Sequence, residues 1–320
     1  MTTKLSLTST NATPSAISNI ADGSITASYK NKIINGSFVV AQRGNSFSNV
    51  ADYVCHVDRW HNGFDVVGGT REITRTQFNA GEEIDGCDYY LRYNHTVAGS
   101  GATYNYLETK IEYVRTLNGK TATISFWAKA AAPLTLTEVG IFQYFGSGGS
   151  AGVNTYSTAT DKSVTTQWKR FSFPVAIPSV AGKTLGYGHC IHVLIGLPIN
   201  TTFDFQITGV QLEEGSTATS FEHRPYPLES SMCQRYFTRL YLSLRAYTNG
   251  GTTHCQNITY PSLMRAAPTI SRVSLQSSLN INTPSVYGDG RTDGCIYEIS
   301  VVNAGDGYAV NDLIEFTAEL

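Results

Sequence analysis

The sequence predicts an all-β protein, an antiparallel β-sandwich with a flexible N-terminal arm and a smaller C-terminal β domain. Three observations predict it. The first is composition: of 320 residues only 15% are charged, while 29 are glycine and 19 tyrosine, a profile that suits pleated, half-buried surfaces joined by turns. The second is periodicity. Thr121-Ala-Thr-Ile-Ser-Phe-Trp-Ala-Lys129 alternates so that Ala122, Ile124, Phe126 and Ala128 share one face and Trp127 takes the other. The third is punctuation, since Leu117-Asn-Gly-Lys120, Gly146-Ser-Gly-Gly-Ser150 and Val180-Ala-Gly-Lys183 all carry turn chemistry between β-rich runs.

Taken in order, residues 1–30 are polar and low in complexity, too poor in apolar surface to fold alone. They read as an arm that orders on a partner. From Asn31 the pattern changes, and strands are expected over 33–40, 89–94, 107–114, 121–130, 137–145, 169–176, 190–196 and 202–212. The stretch Val210-Gln-Leu-Glu-Glu-Gly-Ser-Thr-Ala-Thr-Ser-Phe221 reads as a strand end, a turn, and a clamp in which Phe221 folds back as an apolar anchor. Arg224-Pro-Tyr-Pro227 marks a boundary because two prolines discourage continued regular structure. The sandwich therefore spans 31–228.

Residues 228–240 read as a short connecting turn. The segment 229–320 returns to strands, at 240–247, 258–263, 269–274, 296–302 and 313–317. It is small for an independent core, which favours oligomeric packing. A homotrimer is the expected assembly, formed through 1–30 and 229–320.

Charge and composition narrow the function classes. A formal net charge of −2 gives no electrostatic reason for nucleic acid or an anionic membrane as partner. No apolar run approaches the ~18 residues that span a bilayer. Met1-Thr-Thr-Lys-Leu-Ser-Leu7 lacks the apolar core of a signal peptide, so synthesis in a cytoplasm is expected. Six cysteines are scattered without a C-x-x-C spacing, and read as free, buried thiols. His189 and Cys190 cannot share a ligand shell on a strand, where neighbours point to opposite faces. No glycine-rich phosphate loop precedes a helix.

Several motifs occur in one order along the chain. They are Asn35-Gly-Ser-Phe38, Gln42-Arg-Gly44, Asp58-Arg-Trp60, Ser125-Phe-Trp-Ala-Lys129, Trp168-Lys-Arg-Phe171, Val210-Gln-Leu-Glu213 and Cys233-Gln-Arg-Tyr-Phe237. Together they resemble the carbohydrate-binding-module-like jelly-roll domain of phage tail-fibre and virion proteins. Met264-Arg-Ala-Ala-Pro-Thr-Ile270 and Thr317-Ala-Glu-Leu320 look like the distal domain that follows it. The resemblance implies a noncatalytic virion structural protein, a tail fibre or spike whose arm docks other virion proteins and whose outer domains meet a host surface. A capsid-decorating protein, or a glycan-binding module of a cellular surface protein, would share the fold.

Jelly rolls of this kind hold sugars on aromatic platforms. The candidates here are Trp60, Tyr144, Tyr187 and the Tyr104-Asn-Tyr106 cluster, the last placed in an exposed Gly-Ser-Gly loop. Trp127 and Trp168 are expected to pack in the core or between sheets. Carboxylates at Glu82, Glu83, Asp85 and Asp88 provide no recognisable catalytic pair. A structural calcium is the one ion the resemblance allows, but no D-x-D-x-D-G loop assigns ligands, and Asp204 and Glu213 are alternatives to that cluster. No cofactor is expected.

Overall fold

The computed structural model describes residues 29–49, 51–65 and 68–320. The arm expected at 1–30 lies outside the described residues except for its last two. Residues 31–320 form one compact unit.

The fold is all-β. Its strands are β1 (Ser46–Ser48), β2 (Trp60–Phe64), β3 (Thr70–Gln77), β4 (Tyr89–Val97), β5 (Asn105–Glu112), β6 (Thr121–Ala130), β7 (Leu134–Thr135), β8 (Val139–Tyr144), β9 (Val153–Tyr156) and β10 (Ser163–Val164). They continue with β11 (Lys169–Ala176), β12 (Cys190–Gly196) and β13 (Phe203–Glu214). A helix α1 (Tyr226–Gln234) precedes β14 (Phe237–Thr248), β15 (Thr252–Thr259), β16 (Thr269–Leu279), β17 (Ser285–Tyr287), β18 (Gly294–Val301) and β19 (Gly305–Thr317).

Two antiparallel sheets make the sandwich: a six-stranded one ordered β1-β3-β4-β13-β6-β11 and a five-stranded one ordered β2-β5-β12-β8-β9. Between them lies one apolar core. Ile124, Phe126 and Ala128 of β6 are fully buried in it with Ile207 and Leu212 of β13, and the Phe126 ring stacks on Phe171 and Phe173, both at 5.7 Å. Burying a side chain of that size contributes about 1.5–3 kcal/mol. The alternation in β6 is the one its sequence prescribes, and Phe221 is buried as the clamp requires. Trp127 and Trp168 are outside this core. They are half-buried, and Trp168 packs on Phe78 and Tyr90 at 5.5 and 5.8 Å.

Residues 33–40, expected as a strand, are not one. Asn31 and Asn35 use their side chains where a strand would use a ladder. The Asn31 Oδ1 accepts from the Ile33 and Leu212 backbone N–H groups at 2.9 and 3.1 Å, and Asn35 Oδ1 accepts from Val40 N at 3.0 Å. Asn35 and Phe38 take φ of 61° and 56°, which no extended strand tolerates. Strands β2 and β3 escaped the sequence reading because Trp60-His-Asn-Gly-Phe64 and Thr70-Arg-Glu-Ile-Thr-Arg-Thr-Gln77 are polar for a strand.

Residues 226–234 form a helix rather than a connecting turn. Pro225 and Pro227 sit at its start, where a missing N–H costs no intrahelical bond. Buried Glu229 ties the helix back to the sandwich, pairing with Arg224 at 3.2 Å and accepting from the Asn35 N–H.

The C-terminal strands build two three-stranded sheets, β14-β19-β16 and β15-β18-β17. These enclose a core of their own that includes Leu242, Met264, Tyr297, Ile299, Ile314 and Phe316. The expectation that this segment lacks a core is thus corrected: alternation in β18 and β19 supplies it. The run 258–263 leaves the sheet after Thr259.

This second lobe packs on the sandwich through polar contacts. Arg235 forks onto Glu112 at 2.9 and 3.0 Å, and Gln42 Nε2 donates to Phe237 O at 2.8 Å. Arg43 and Arg59 lie over the rings of Phe237 and Tyr236 at 3.6 and 3.5 Å, and both guanidinium groups pair with Glu319. Among the described residues no helix is long and apolar enough to cross a membrane.

Candidate functional site

The outer face of the five-stranded sheet forms a groove of about 550 Å³. Its floor follows from alternation. On β5, Leu107, Thr109 and Ile111 turn inward, so Tyr106, Glu108 and Lys110 turn out; on β12, Ile191, Val193 and Ile195 turn inward, leaving Cys190, His192 and Leu194 outside. Register aligns these outward side chains into rows across the strands. One row runs Lys110, His192, Phe142 and Asn154; the next runs Glu108, Leu194, Gly140 and Tyr156.

Two aromatic walls border the floor. On one side Tyr104 and Tyr106 stack at 6.1 Å with 16° between planes, and Tyr53 extends the series at 6.5 Å from Tyr104. On the other, Phe142 and Tyr144 stack at 6.4 Å, with the His192 ring edge-on to both at 5.3 and 6.2 Å. Gly140 makes room for Tyr156: a Cβ there would stand 2.3 Å from Thr155 O and 2.8 Å from the Tyr156 ring.

Hydrogen bonds fix the tyrosines. Tyr104 donates its hydroxyl to Asp52 Oδ2 at 3.0 Å, and Tyr106 donates to Glu138 Oε1. Burial, and then these acceptors, hold both phenols well above the usual tyrosine range, so they remain protonated. In the floor Glu108 is buried, with its Oε1 3.6 Å from His192 Nδ1. Burial pushes the Cys190 thiol up to about 11, so a nucleophilic thiolate is not available there at neutral pH. The chemistry on offer is apolar ring faces flanked by fixed hydroxyl, carboxylate, amide and ammonium groups.

Of the sequence candidates, the structure brings Tyr104, Tyr106 and Tyr144 to this groove. Tyr106 stands on strand β5 rather than in the expected loop. Trp60 is a correction. It is fully buried in the core with its Nε1 donating to Asn35 O at 2.9 Å, so its ring faces no solvent. Tyr187 is 75% exposed and lines a neighbouring cavity with Arg235 and Arg265. Tyr53, Glu108, Lys110, Phe142, Tyr156 and His192 were missed, although alternation within the expected strands marks Glu108, Lys110, Phe142 and His192.

Three of the carboxylates considered for an ion are engaged within the protein. Asp204 pairs with Arg92 at 2.6 Å, and Glu213 Oε1 accepts from Gln211 and Thr219. Asp85 Oδ2 accepts from Trp127 Nε1 at 3.4 Å. Among the described residues no group of three or more His, Cys, Asp or Glu is placed to hold a metal ion.

No protein-family model matches the chain, and no curated protein matches it. Solved structures do. The chain is similar to a CBM4 structure at 20% identity, over 57% of this chain and 98% of that one, with a TM-score of 0.34. It is similar to a family 11 carbohydrate-binding module of a cellulosomal cellulase of Clostridium thermocellum at 14% identity, over 54% and 97%, TM-score 0.32. It is also similar to the enzymatically active domain of tailspike protein 4 of bacteriophage CBA120, at 14% identity and a TM-score of 0.36. That match spans 58% of this chain and 22% of the other.

Proposed function

We propose that the chain is a noncatalytic glycan-binding protein and that the groove over β2-β5-β12-β8-β9 holds the sugar. One observation carries this reading: two stacked aromatic walls, Tyr104–Tyr106 and Phe142–Tyr144, border a floor of fixed polar groups. The C–H faces of a pyranose carry partial positive charge and pack on the negative faces of such rings. Its equatorial hydroxyls need donors and acceptors beside those rings, and Glu108, Lys110, His192 and Asn154 are placed to supply them. A cavity of this size, apolar with a few convergent polar groups, suits a small organic ligand.

Affinity electrophoresis through gels containing amylose, β-1,3-glucan, mannan or dextran tests the reading. At least one polymer is expected to retard the protein, and Tyr106→Ala is expected to abolish that retardation. Retardation by none of a broad set of neutral and acidic polysaccharides would overturn it.

The ordered motifs of the sequence support a narrower setting, a virion fibre or spike that uses this groove on a host surface. In that setting residues 1–30 dock other virion proteins and three copies assemble. Linked copies would raise avidity without any new contact. Immunogold labelling of purified particles tests the setting, and absence of the chain from them counts against it.

A further inference from the structure

We propose that the groove receives the end of a sugar chain rather than a stretch along its length; the inference rests on the glycan reading above. Its basis is a wall at the β2 side. Past that wall lies a second cavity of about 440 Å³ reaching Cys55, His61 and Glu319, and the residues common to both cavities are Tyr53 and Leu320.

Each half of the wall is held from its own side. Tyr53 takes φ of 55°, a conformation bulky residues adopt only when their surroundings impose it. Its N–H donates to Asn62 O at 2.8 Å, and its ring lies against Gly63, where a Cβ would stand 3.2 Å from it. Leu320 is braced by the second lobe. Its neighbour Glu319 pairs with Arg43 and Arg59, and Arg265 donates to Ala318 O and Glu319 O at 2.9 and 2.8 Å. Lys110 joins the halves: its Nζ donates to Leu320 O at 2.9 Å and stands 5.8 Å from the Tyr53 ring centre.

The opposite end differs. Strand β9 is the edge of the sheet, with no strand beyond it among the described residues, and it carries Asn154 and Tyr156 of the floor. A chain lying along the row Asn154, Phe142, His192 and Lys110 enters over β9 and stops at Tyr53 and Leu320. Its last sugar then meets a donor, Lys110, and an acceptor, Glu108. The sandwich provides the platform, and the C-terminal lobe provides the stop.

Stoichiometry on polymers separates the two modes. Titrating the full-length protein with size-fractionated amylose, β-1,3-glucan, mannan and dextran, by calorimetry, counts the molecules bound per polymer chain. For whichever polymer binds, taken as its linear, unbranched fraction, the wild type is expected to saturate at one molecule per chain of every length. Leu320→Gly, which lowers the wall, is expected to give a number that rises with length. A wild-type number that rises with length overturns the chain-end inference and leaves the glycan reading standing. Binding to none of a broad set of neutral and acidic polysaccharides, these four included, overturns the glycan reading and the inference with it. Should Leu320→Gly unfold, Tyr53→Ala lowers the other half of the wall and is expected to give the same rise.

Discussion

Arg59, fully buried at the start of the five-stranded sheet, forms an ion pair with Glu319, which arrives from the far end of the chain. The same carboxylate accepts from Arg43 at 3.0 Å. Two cations in one place hold Glu319 below the usual carboxylate range, against the opposing effect of burial. The two lobes are therefore fastened by charge at a point where removing one partner leaves the other unsatisfied.

Breaking that pair is expected to be costly. Glu319→Ala strands a buried guanidinium, and a loss of about 3 kcal/mol follows from such cases. The double variant Arg59→Met with Glu319→Leu removes both charges and is expected to recover most of the loss. Urea unfolding of the three proteins checks this; equal losses for the single and double variants would contradict it.

Acid is expected to destabilise the fold well before carboxylates dominate. Burial lowers His56 to about 3 and holds His61 well below 6.5. Both stay neutral when folded and take up protons when unfolded, so stability is full above about pH 6.5 and falls as pH drops below it. From pH 6.5 to 4.5 the linkage at His56 alone amounts to roughly 2 kcal/mol. Glu319, with its folded pKa depressed, adds a loss of the same sign below about 4.5. Urea midpoints at pH 7, 5.5 and 4.5 should fall in that order, and His56→Asn should flatten the fall.

On the proposed reading, glycan binding is expected to be insensitive to mild alkali. Tyr104 and Tyr106 keep their protons above the ordinary tyrosine value of 10 because burial and an adjacent carboxylate oppose ionisation. Binding measured at pH 7.5 and 9.5 should agree within about twofold, about 0.4 kcal/mol. A large loss at pH 9.5 would show that a wall tyrosine ionises.

Gly140→Ala is expected to damage the site through the backbone. The new methyl meets Thr155 O at 2.3 Å, so β9 must move away, taking Asn154 and Tyr156 with it. A destabilisation of about 1–3 kcal/mol is expected, the range for overpacking, with weakened glycan binding. Hydrogen exchange should localise the faster amides to β8 and β9.

Strand β6 was legible because its apolar and polar residues alternate cleanly. The core faces of β5 and β12 were legible for the same reason, and with them the floor, which occupies the complementary positions. Trp60 misled: it was a candidate as an aromatic platform, yet the ring fills the core while its Nε1 finds a carbonyl. Residues 33–40 misled because the β formers Ile33, Ile34, Val39 and Val40 flank Asn35 and Phe38, which take positive φ, and the Asn35 side chain bonds to the distant Asp58 carbonyl. Tyr53 and Leu320 had no local signal. They line one wall only once the second lobe is docked, a juxtaposition of positions 267 residues apart that no periodicity encodes.

The division of labour on β5, β8 and β12 has a consequence for how such a protein changes over time. Inward positions carry the cohesion of the sandwich, and on the proposed reading outward positions of the same strands carry the recognition. Exchanging Tyr106, Phe142 or His192 would then alter what the groove prefers while Leu107, Ile141 and Val193 keep the scaffold intact. On that reading preference would drift quickly on a framework that stays fixed, with several independent places to adjust.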